Sequence, residues 1–442
     1  MAQLIKQAYL LGADAANVGA EGMGDVLIEE GVISVIAPFL TDHPPNTEII
    51  DGRGQFLGPG LIDLYSHSGE PGHESRETLQ SLRAAAAAGG FTRVGVLPTT
   101  MPAVDSVGAI ATFQQSNQLA NNESVNQSIN QSVNQSVNQS VLMPWAAITL
   151  GAKGEQLSEL AELINAGAIG FADGRPLMNK VLLRRLLEYA QPLQKPIALW
   201  PCDIDLARDG IAREGVDSIR LGLAGMSAIA ETTALATMLE YLVEVPALVH
   251  IMRVSTARSV DLIREAKSRN LPISASVPWH HLLFDTTDLE SYSPHLKQDP
   301  PLGTPRDRTA LIEAVSEGVI DAIAIDHSPY TYEEKTVSFK AAPPGAIGLE
   351  LALPLLWQTF VSAKATDKRW SPMQLWQSLS EGPAQCLGQS AGQLEVGASA
   401  ELALFNPAFE WDVAADTLES LSSNTPWLSK RIAGRVTQIW NQ

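Results

Sequence analysis

Residues 321–330 read DAIAIDHSPY, four apolar residues from Ala322 to Ile325 running straight into Asp326 and His327. A carboxylate at the end of a buried strand is costly unless it is paired, protonated or bound to a cation, so this stretch joins a strand to a polar site. The same design recurs upstream in LIDLYSH (61–67), TRVGVLP (92–98), AAITL (146–150), AIGFAD (168–173), PIALWP (196–201), ALVHIMRVS (247–255) and PISASV (272–277). Continuous apolar runs, rather than alternating ones, mark parallel strands buried on both faces. Eight such runs alternating with helical-looking stretches over about 270 residues fit a (β/α)8 barrel of the α/β class better than an open sheet. In such a barrel the chemistry gathers at the C-terminal ends of the strands, so the polar residues after each run are the candidates.

Outside this rhythm the two ends share a texture. DVLIEEGVISVIAPF (25–39) and TEIIDGRGQFLGPG (47–60) near the start, and GQLEVGASAELALFNP (392–407) and WLSKRIAGRVTQIWNQ (427–442) at the end, are β-like runs broken at Gly and Asp, and can share one sheet. Residues 117–141, NQLANNESVNQSINQSVNQSVNQSV, are a four-residue repeat. It is read as a low-complexity insertion, a lengthened surface helix or loop, because Asn and Ser are poor helix-interior residues.

The 442 residues carry 30 Lys and Arg against 49 Asp and Glu, a formal charge of −19. That is the wrong sign for neutralising phosphates, which argues against nucleic acid and anionic membranes as partners. The N-terminal MAQLIKQAYLLGADAA lacks the pattern of a signal peptide, and no apolar run reaches membrane-spanning length. An unprocessed cytoplasmic protein is expected. Cys202 and Cys386 have no metal-site spacing and read as buried fillers in a reducing compartment.

Among the strand-end residues, Tyr65 and His67 share one face of a strand, where a pair of histidines would clamp a metal; this chain supplies one. Asp326 and Asp173 each follow an apolar run, with a helix cap or an Asp-Gly turn as the bland alternatives. Adjacent His280 and His281 on a strand face opposite ways, which favours core plus rim over joint chelation. Arg253 puts a permanent cation at the barrel mouth, where it repels a divalent metal.

These residues resemble the dihydroorotases of the amidohydrolase superfamily over almost the whole chain. The likeness rests on PGLIDLYSHSGEPG (59–72), RAAAAAGGFTRVGVLPTTMPAVD (83–105), HIMRVSTARSV (250–260), HHLLFD (280–285), DPPLGTPRDRTALIEAVSEGVIDAIAIDHSPY (299–330), EEKTVSFKAAPPGAIGLE (333–350) and NTPWLSKRIAGRV (424–436). It implies a (β/α)8 barrel over 57–387 with a small β-sandwich domain formed from 1–56 and 388–442.

The resemblance also implies a zinc site: a His-x-His pair, an acidic bridge, two further histidines and an Asp that activates the metal-bound water for attack on a cyclic amide. The pair falls on Tyr65 and His67, the bridge on Asp173 and the base on Asp326. The fifth-strand histidine falls on Trp200 or Pro201 and the sixth-strand histidine on Arg253. Any retained metal is left with His67, Asp173 and Asp326, and zinc is expected to be absent or substoichiometric. The carboxylate-binding Arg is Gly69 and its Asn partner Thr99; further substrate positions are Asp299, Gly303 and Tyr330 in place of Asn, Arg and His. Asp299 would repel an anionic substrate, and Arg253 could neutralise Asp173 or Asp326.

Besides a metal-free binding protein for a small ligand in the altered pocket, two functions stay open at this point. One is a catalytically inactive dihydroorotase-like protein of de novo pyrimidine biosynthesis; inactive relatives in the family assemble with aspartate transcarbamoylase, so that enzyme is the expected partner and the chain is expected to be oligomeric. The other is a working zinc-dependent dihydroorotase, or other cyclic amide hydrolase, with Asp326 as catalytic base.

Overall fold

The computed structural model describes residues 2–14, 18, 19, 22–130, 139–362, 364, 365, 367 and 369–441. Eight short parallel strands form the barrel: Leu61–Ser66, Phe91–Val96, Val141–Pro144, Phe171–Ala172, Ile197–Leu199, Val249–Ile251, Ile273–Pro278 and Ala322–Ala324. Neighbours pair in parallel through the first three strands, with register shifts at Leu61/Ile62 and Asp63/Ser66 in the first pair, and again through the last five. Between the third and fourth a parallel bridge joins Ala146 to Phe171. The ring closes between the eighth and the first, where His67 N donates to His327 O (2.8 Å) and Asp326 N to Tyr65 O (3.2 Å). Two side chains of the first strand reinforce that seam. Asp63 Oδ1 accepts from Ile325 N (2.9 Å) and Ser66 Oγ from His327 N (3.0 Å).

The third strand corrects the expectation of AAITL at 146–150. Val141–Pro144 hydrogen-bonds along Arg93–Val96, whereas Ala146–Ile148 is buried but lies past the end of that ladder. Burial makes both stretches apolar, so apolarity alone could not separate them. The helix Val107–Asn130 extends into the four-residue repeat. Of the rest of the expected insertion, residues 131–138 lie outside the described residues, and its last residue, Val141, instead opens the third strand.

Helices close each crossover with local signals that the sequence carries. Thr78 caps Leu79–Gly89 by a reciprocal box with Ser81, and Thr304 caps Pro305–Ser316 with Asp307, Pro305 sitting at the first turn where its missing N–H costs nothing. One apolar cluster fills the space between strands and helices. A second brings Tyr65, Trp145, Ala172, Ala198, Trp200 and Met252 together inside the ring, where the alanines make room for the large rings.

The terminal segments form the β-sandwich domain as one folded sheet of seven strands, in the order Arg431–Trp440, Leu402–Asp412, Phe56–Pro59, Gln3–Leu10, Met23–Glu29 and Val32–Ala37, with Glu48–Asp51 pairing with Gln3–Leu10. The sheet bends until its far edge meets the C-terminal half, Ile33 N donating to Ala398 O (2.9 Å). Its own core, with Ile5, Val26, Ile28, Ile33, Leu57, Leu404 and Trp440, mixes residues from both ends of the chain. Arg93 joins it to the barrel through a 2.7 Å ion pair with Glu401.

Candidate functional site: the barrel mouth

Arg253 follows the sixth strand and Asp326 the eighth, each with left-handed backbone (φ 55° and 50°), a conformation that non-glycine residues hold only when their surroundings fix it. Their side chains meet in a two-pronged ion pair. Arg253 Nε donates to Asp326 Oδ2 (2.7 Å) and Nη2 to Asp326 Oδ1 (2.7 Å). The same Nη2 lies 3.2 Å from His67 Nε2, and Nη1 donates to the carbonyl of Gly174 (3.2 Å), which a left-handed turn (φ 64°) presents. Burial works against the guanidinium charge, and the Asp326 carboxylate more than offsets it, holding Arg253 above its ordinary range. His67, desolvated and beside Arg253, is pulled down to about 4 despite Asp326, so its ring is neutral near pH 7 and its Nε2 can accept from Arg253. Its Nδ1 is 3.1 Å from the Thr99 hydroxyl.

Asp173 is occupied elsewhere. Its carboxylate accepts from Thr149 N (3.0 Å) and Thr149 Oγ1 (2.7 Å), and burial raises its pKa. Of the two acids open to Arg253 on sequence, the structure pairs it with Asp326. Tyr65 turns into the barrel: its hydroxyl is 2.9 Å from Ser276 Oγ and accepts from Arg253 N (3.1 Å). Burial raises this phenol, which keeps its proton. From Ser276 the chain continues to His250 Nε2 (2.9 Å), and His250 Nδ1 is 2.9 Å from Ser274 Oγ. Trp200 lies over the Arg253 guanidinium at 4.8 Å, a cation–π contact.

The expected metal position is therefore filled by a permanent cation. The residues present do not fit zinc: Asp326 gives both oxygens to Arg253, His67 faces the same guanidinium, Asp173 is bound by Thr149, and Tyr65 and Trp200 are neutral aromatics. Among the described residues no group of three or more His, Cys, Asp and Glu side chains is arranged to hold an ion. Asp326 caps no helix; its partner is an arginine from another strand end.

The altered substrate positions have structural reasons. At Gly69 a Cβ would overlap the carbonyls of His73 and Glu77, so no arginine fits without moving that loop. At Gly303 a Cβ would come within 2.7 Å of Asp307 Cβ. Tyr330 lies 5.0 Å from the Arg76 guanidinium and 5.3 Å from the Lys335 ammonium. Asp299 opens onto a cleft yet is ringed by protein, which pushes its carboxyl up to about 6.

His280 and His281 correct another expectation. They start a short helix, His280–Leu283, instead of lying on a strand, and both are buried, so neither is a rim residue. Cys202 is buried in the wall of the cleft and its thiol is pushed up to about 12, which makes it a filler. Sequence reasoning missed Thr149, Ser276, Ser274 and the interior role of His250; a hydroxyl on a strand facing a barrel interior was the available signal. It also missed the basic residues around the cleft, which has a volume of about 880 Å3.

A barrel with its polar cluster at the strand C-termini and a terminal β-domain defines the amidohydrolase class, and the comparisons agree. The L-hydantoinase (dihydropyrimidinase) of Arthrobacter aurescens superposes with a TM-score of 0.79 at 21% identity, covering 100% of this chain and 96% of that one, a likeness of fold. Residues 54–239 match the Dihydro-orotase-like family and residues 225–426 the Amidohydrolase family. A "probable dihydroorotase-like protein" of Synechocystis sp. is 42% identical over 95% of both chains. The dihydroorotase of Anaeromyxobacter dehalogenans is 35% identical over 95% of this chain and 92% of its own. The chain belongs to the dihydroorotase-like family of amidohydrolases. Among the described residues no helix is long and apolar enough to cross a membrane.

Proposed function

We propose that this protein is a non-catalytic member of its family that serves de novo pyrimidine biosynthesis as a structural partner of aspartate transcarbamoylase. The observation that carries the first half is the Arg253 guanidinium locked between Asp326, His67 and the Gly174 carbonyl. Opening a cyclic amide with water requires a base with a free lone pair and an electrophile that stabilises the developing oxyanion. Asp326, the expected base, accepts from a guanidinium that cannot give up its proton near neutral pH, and both its oxygens are engaged. The partner half rests on what the family resemblance implies.

The test is zinc per chain on purified protein, alongside dihydroorotate hydrolysis with and without added zinc, and co-purification with aspartate transcarbamoylase. The expected result is substoichiometric zinc, no turnover and a stable complex that persists in Asp326→Asn. About one bound zinc with turnover that Asp326→Asn abolishes would overturn the non-catalytic reading. Failure to co-purify would overturn the partner.

A further inference from the structure

Every barrel loop from the third to the eighth strand brings one basic residue to the mouth. Lys153 follows the third strand, Arg175 the fourth, Arg208 the fifth, Lys297 the seventh and Lys340 the eighth, and all five line the cleft. Arg253, after the sixth, completes the arc beneath Trp200. In a chain with only 30 basic residues and a charge of −19, five of them on one cleft reverse the local sign. The acids there are three: Asp173, engaged by Thr149, with Asp209 and Asp299.

The site is built as well as charged. Lys297 is half-buried and its Nζ donates to Lys340 O (2.8 Å) and Ala342 O (2.6 Å), which fixes the ammonium and leaves its third N–H for a ligand. Trp200, Ile204, Ile211 and Met226 give the cleft an apolar wall. Trp200 lines the cleft, and its indole Nε1 is buried with no hydrogen-bond partner among the described residues. A cleft of about 880 Å3 lies within the range of small-molecule sites.

We infer that the barrel mouth is a metal-free binding site for a small organic polyanion, a phosphate ester or a polycarboxylate, held by the arc of Lys153, Arg175, Arg208, Lys297 and Lys340. It rests on the reading of Arg253 as a permanent plug, and it does not depend on the transcarbamoylase. Four of the five Arg253 N–H groups are taken up by Asp326, His67 and the Gly174 carbonyl, so the plug forms the floor while the rim cations meet the ligand. The ligand differs from a cyclic amide presented to a metal: charge at several points replaces one carboxylate gripped by one arginine.

Isothermal titration of the full-length protein at low salt tests this, with uridine monophosphate as the phosphate-ester probe, citrate as the polycarboxylate and inorganic phosphate as the charge-only control. Either organic probe is expected to bind at least about tenfold more tightly than inorganic phosphate, and less tightly as salt screens the rim. The variant Arg175→Ala/Arg208→Ala, both exposed positions, should weaken binding about tenfold or more. Asp299→Asn should tighten it severalfold by removing a like charge. Arg258→Ala, exposed on an outer helix, should leave it unchanged. No heat from either organic probe at about 10 mM, or equal affinity in the Arg175/Arg208 variant, would overturn the inference. Zinc-dependent turnover would instead strike the non-catalytic reading, so the two failures are separable.

Discussion

Asp326 and His327 leave the eighth strand side by side and serve two different clusters. Asp326 faces the mouth and is held by Arg253. His327 turns away: Gly348 N donates to its Nδ1 (3.2 Å), which leaves the proton on Nε2 to be donated to Glu77 Oε2 at 3.3 Å. Glu77 also accepts from Ser81 Oγ, Ser420 Oγ and, at 3.2 Å, Leu421 N. Burial opposes its charge, and His327 with these hydroxyls more than compensates, lowering its pKa. The first cluster replaces an expected metal centre with an ion pair; the second latches the barrel to the segment that leads into the terminal sheet. Chemistry at a strand end can be exchanged as long as no buried charge is left alone. A latch with four donors converging on one carboxylate has no such freedom.

The largest expected effect is at the mouth. Arg253→Met leaves Asp326 without its partner, and both side chains are mostly buried (6% and 13% exposed), so unfolding free energy should fall by about 3–5 kcal/mol in urea denaturation. Arg253→Met/Asp326→Leu should recover most of that loss, because it removes the stranded charge. A double variant as unstable as the single one would mean that the ion pair is structural in the same sense as the latch. Next comes Glu77→Ala, which orphans the proton of His327 Nε2 together with Leu421 N; about 2–3 kcal/mol is expected by the same measurement. Here a second substitution at His327 should not restore stability, since Leu421 N stays unpaired.

Acid separates the barrel interior from its surroundings. Burial pulls His250 down to about 3, with Lys267 adding to it, and the ring is neutral in the folded protein. The unfolded chain takes up that proton near pH 6.5, so this contribution to stability is complete above about 6.5 and is lost as pH falls toward the folded value. Between pH 6.5 and 5 the loss is roughly 2 kcal/mol. Asp63, pushed up to about 7 by burial, works in the opposite direction: it holds its proton in the fold and contributes stability that is complete below about 4 and gone above 7. The two partly cancel in the native protein. His250→Gln removes only the first, so its deficit against the parent should shrink by about 2 kcal/mol from pH 7.5 to 5, checked by urea midpoints at the two values. A constant deficit would show that His250 is not buried neutral.

The ring of strands was legible because parallel strands buried on both faces have to be apolar, and Leu61–Ser66 and Ala322–Ala324 lie within the runs read for them. The same rule misplaced the third strand, since Leu142–Pro144 and Ala146–Ile148 are both buried and only the ladder with the second strand tells them apart. Which residues stand at the strand ends was legible too; which of them touch was not. Arg253 and Asp326 are 73 positions apart, and their meeting depends on a left-handed backbone at both, which neither residue type advertises. His280 and His281 were read with strand geometry because they follow an apolar run, and the turn into His280–Leu283 reverses that reading. The basic arc escaped notice because its members are spread one per loop, a pattern that appears only once the loops share a rim.

The smallest expected effect is at Trp200, and set beside Trp145 it discriminates most finely between the mouth and the scaffold. Trp145 and Trp200 both belong to the barrel-interior cluster and both are buried. Trp145 Nε1 donates to Leu64 O at 2.8 Å, a bond that ties the third strand's end to the first strand. Trp200 Nε1 has no partner among the described residues, while its ring covers Arg253. Phenylalanine at either position loses some buried area and the indole N–H. At 145 the substitution also strands the Leu64 carbonyl, and about 2–3 kcal/mol is expected. At 200 it removes a donor whose burial was never compensated and keeps an aromatic face for the guanidinium, so the area lost and the desolvation regained offset each other to within about 1 kcal/mol. Urea denaturation of Trp145→Phe and Trp200→Phe measures the difference directly. Equal losses would mean that Trp200 Nε1 has a partner in solution, and the inserted indole would then belong to the scaffold as firmly as Trp145 does.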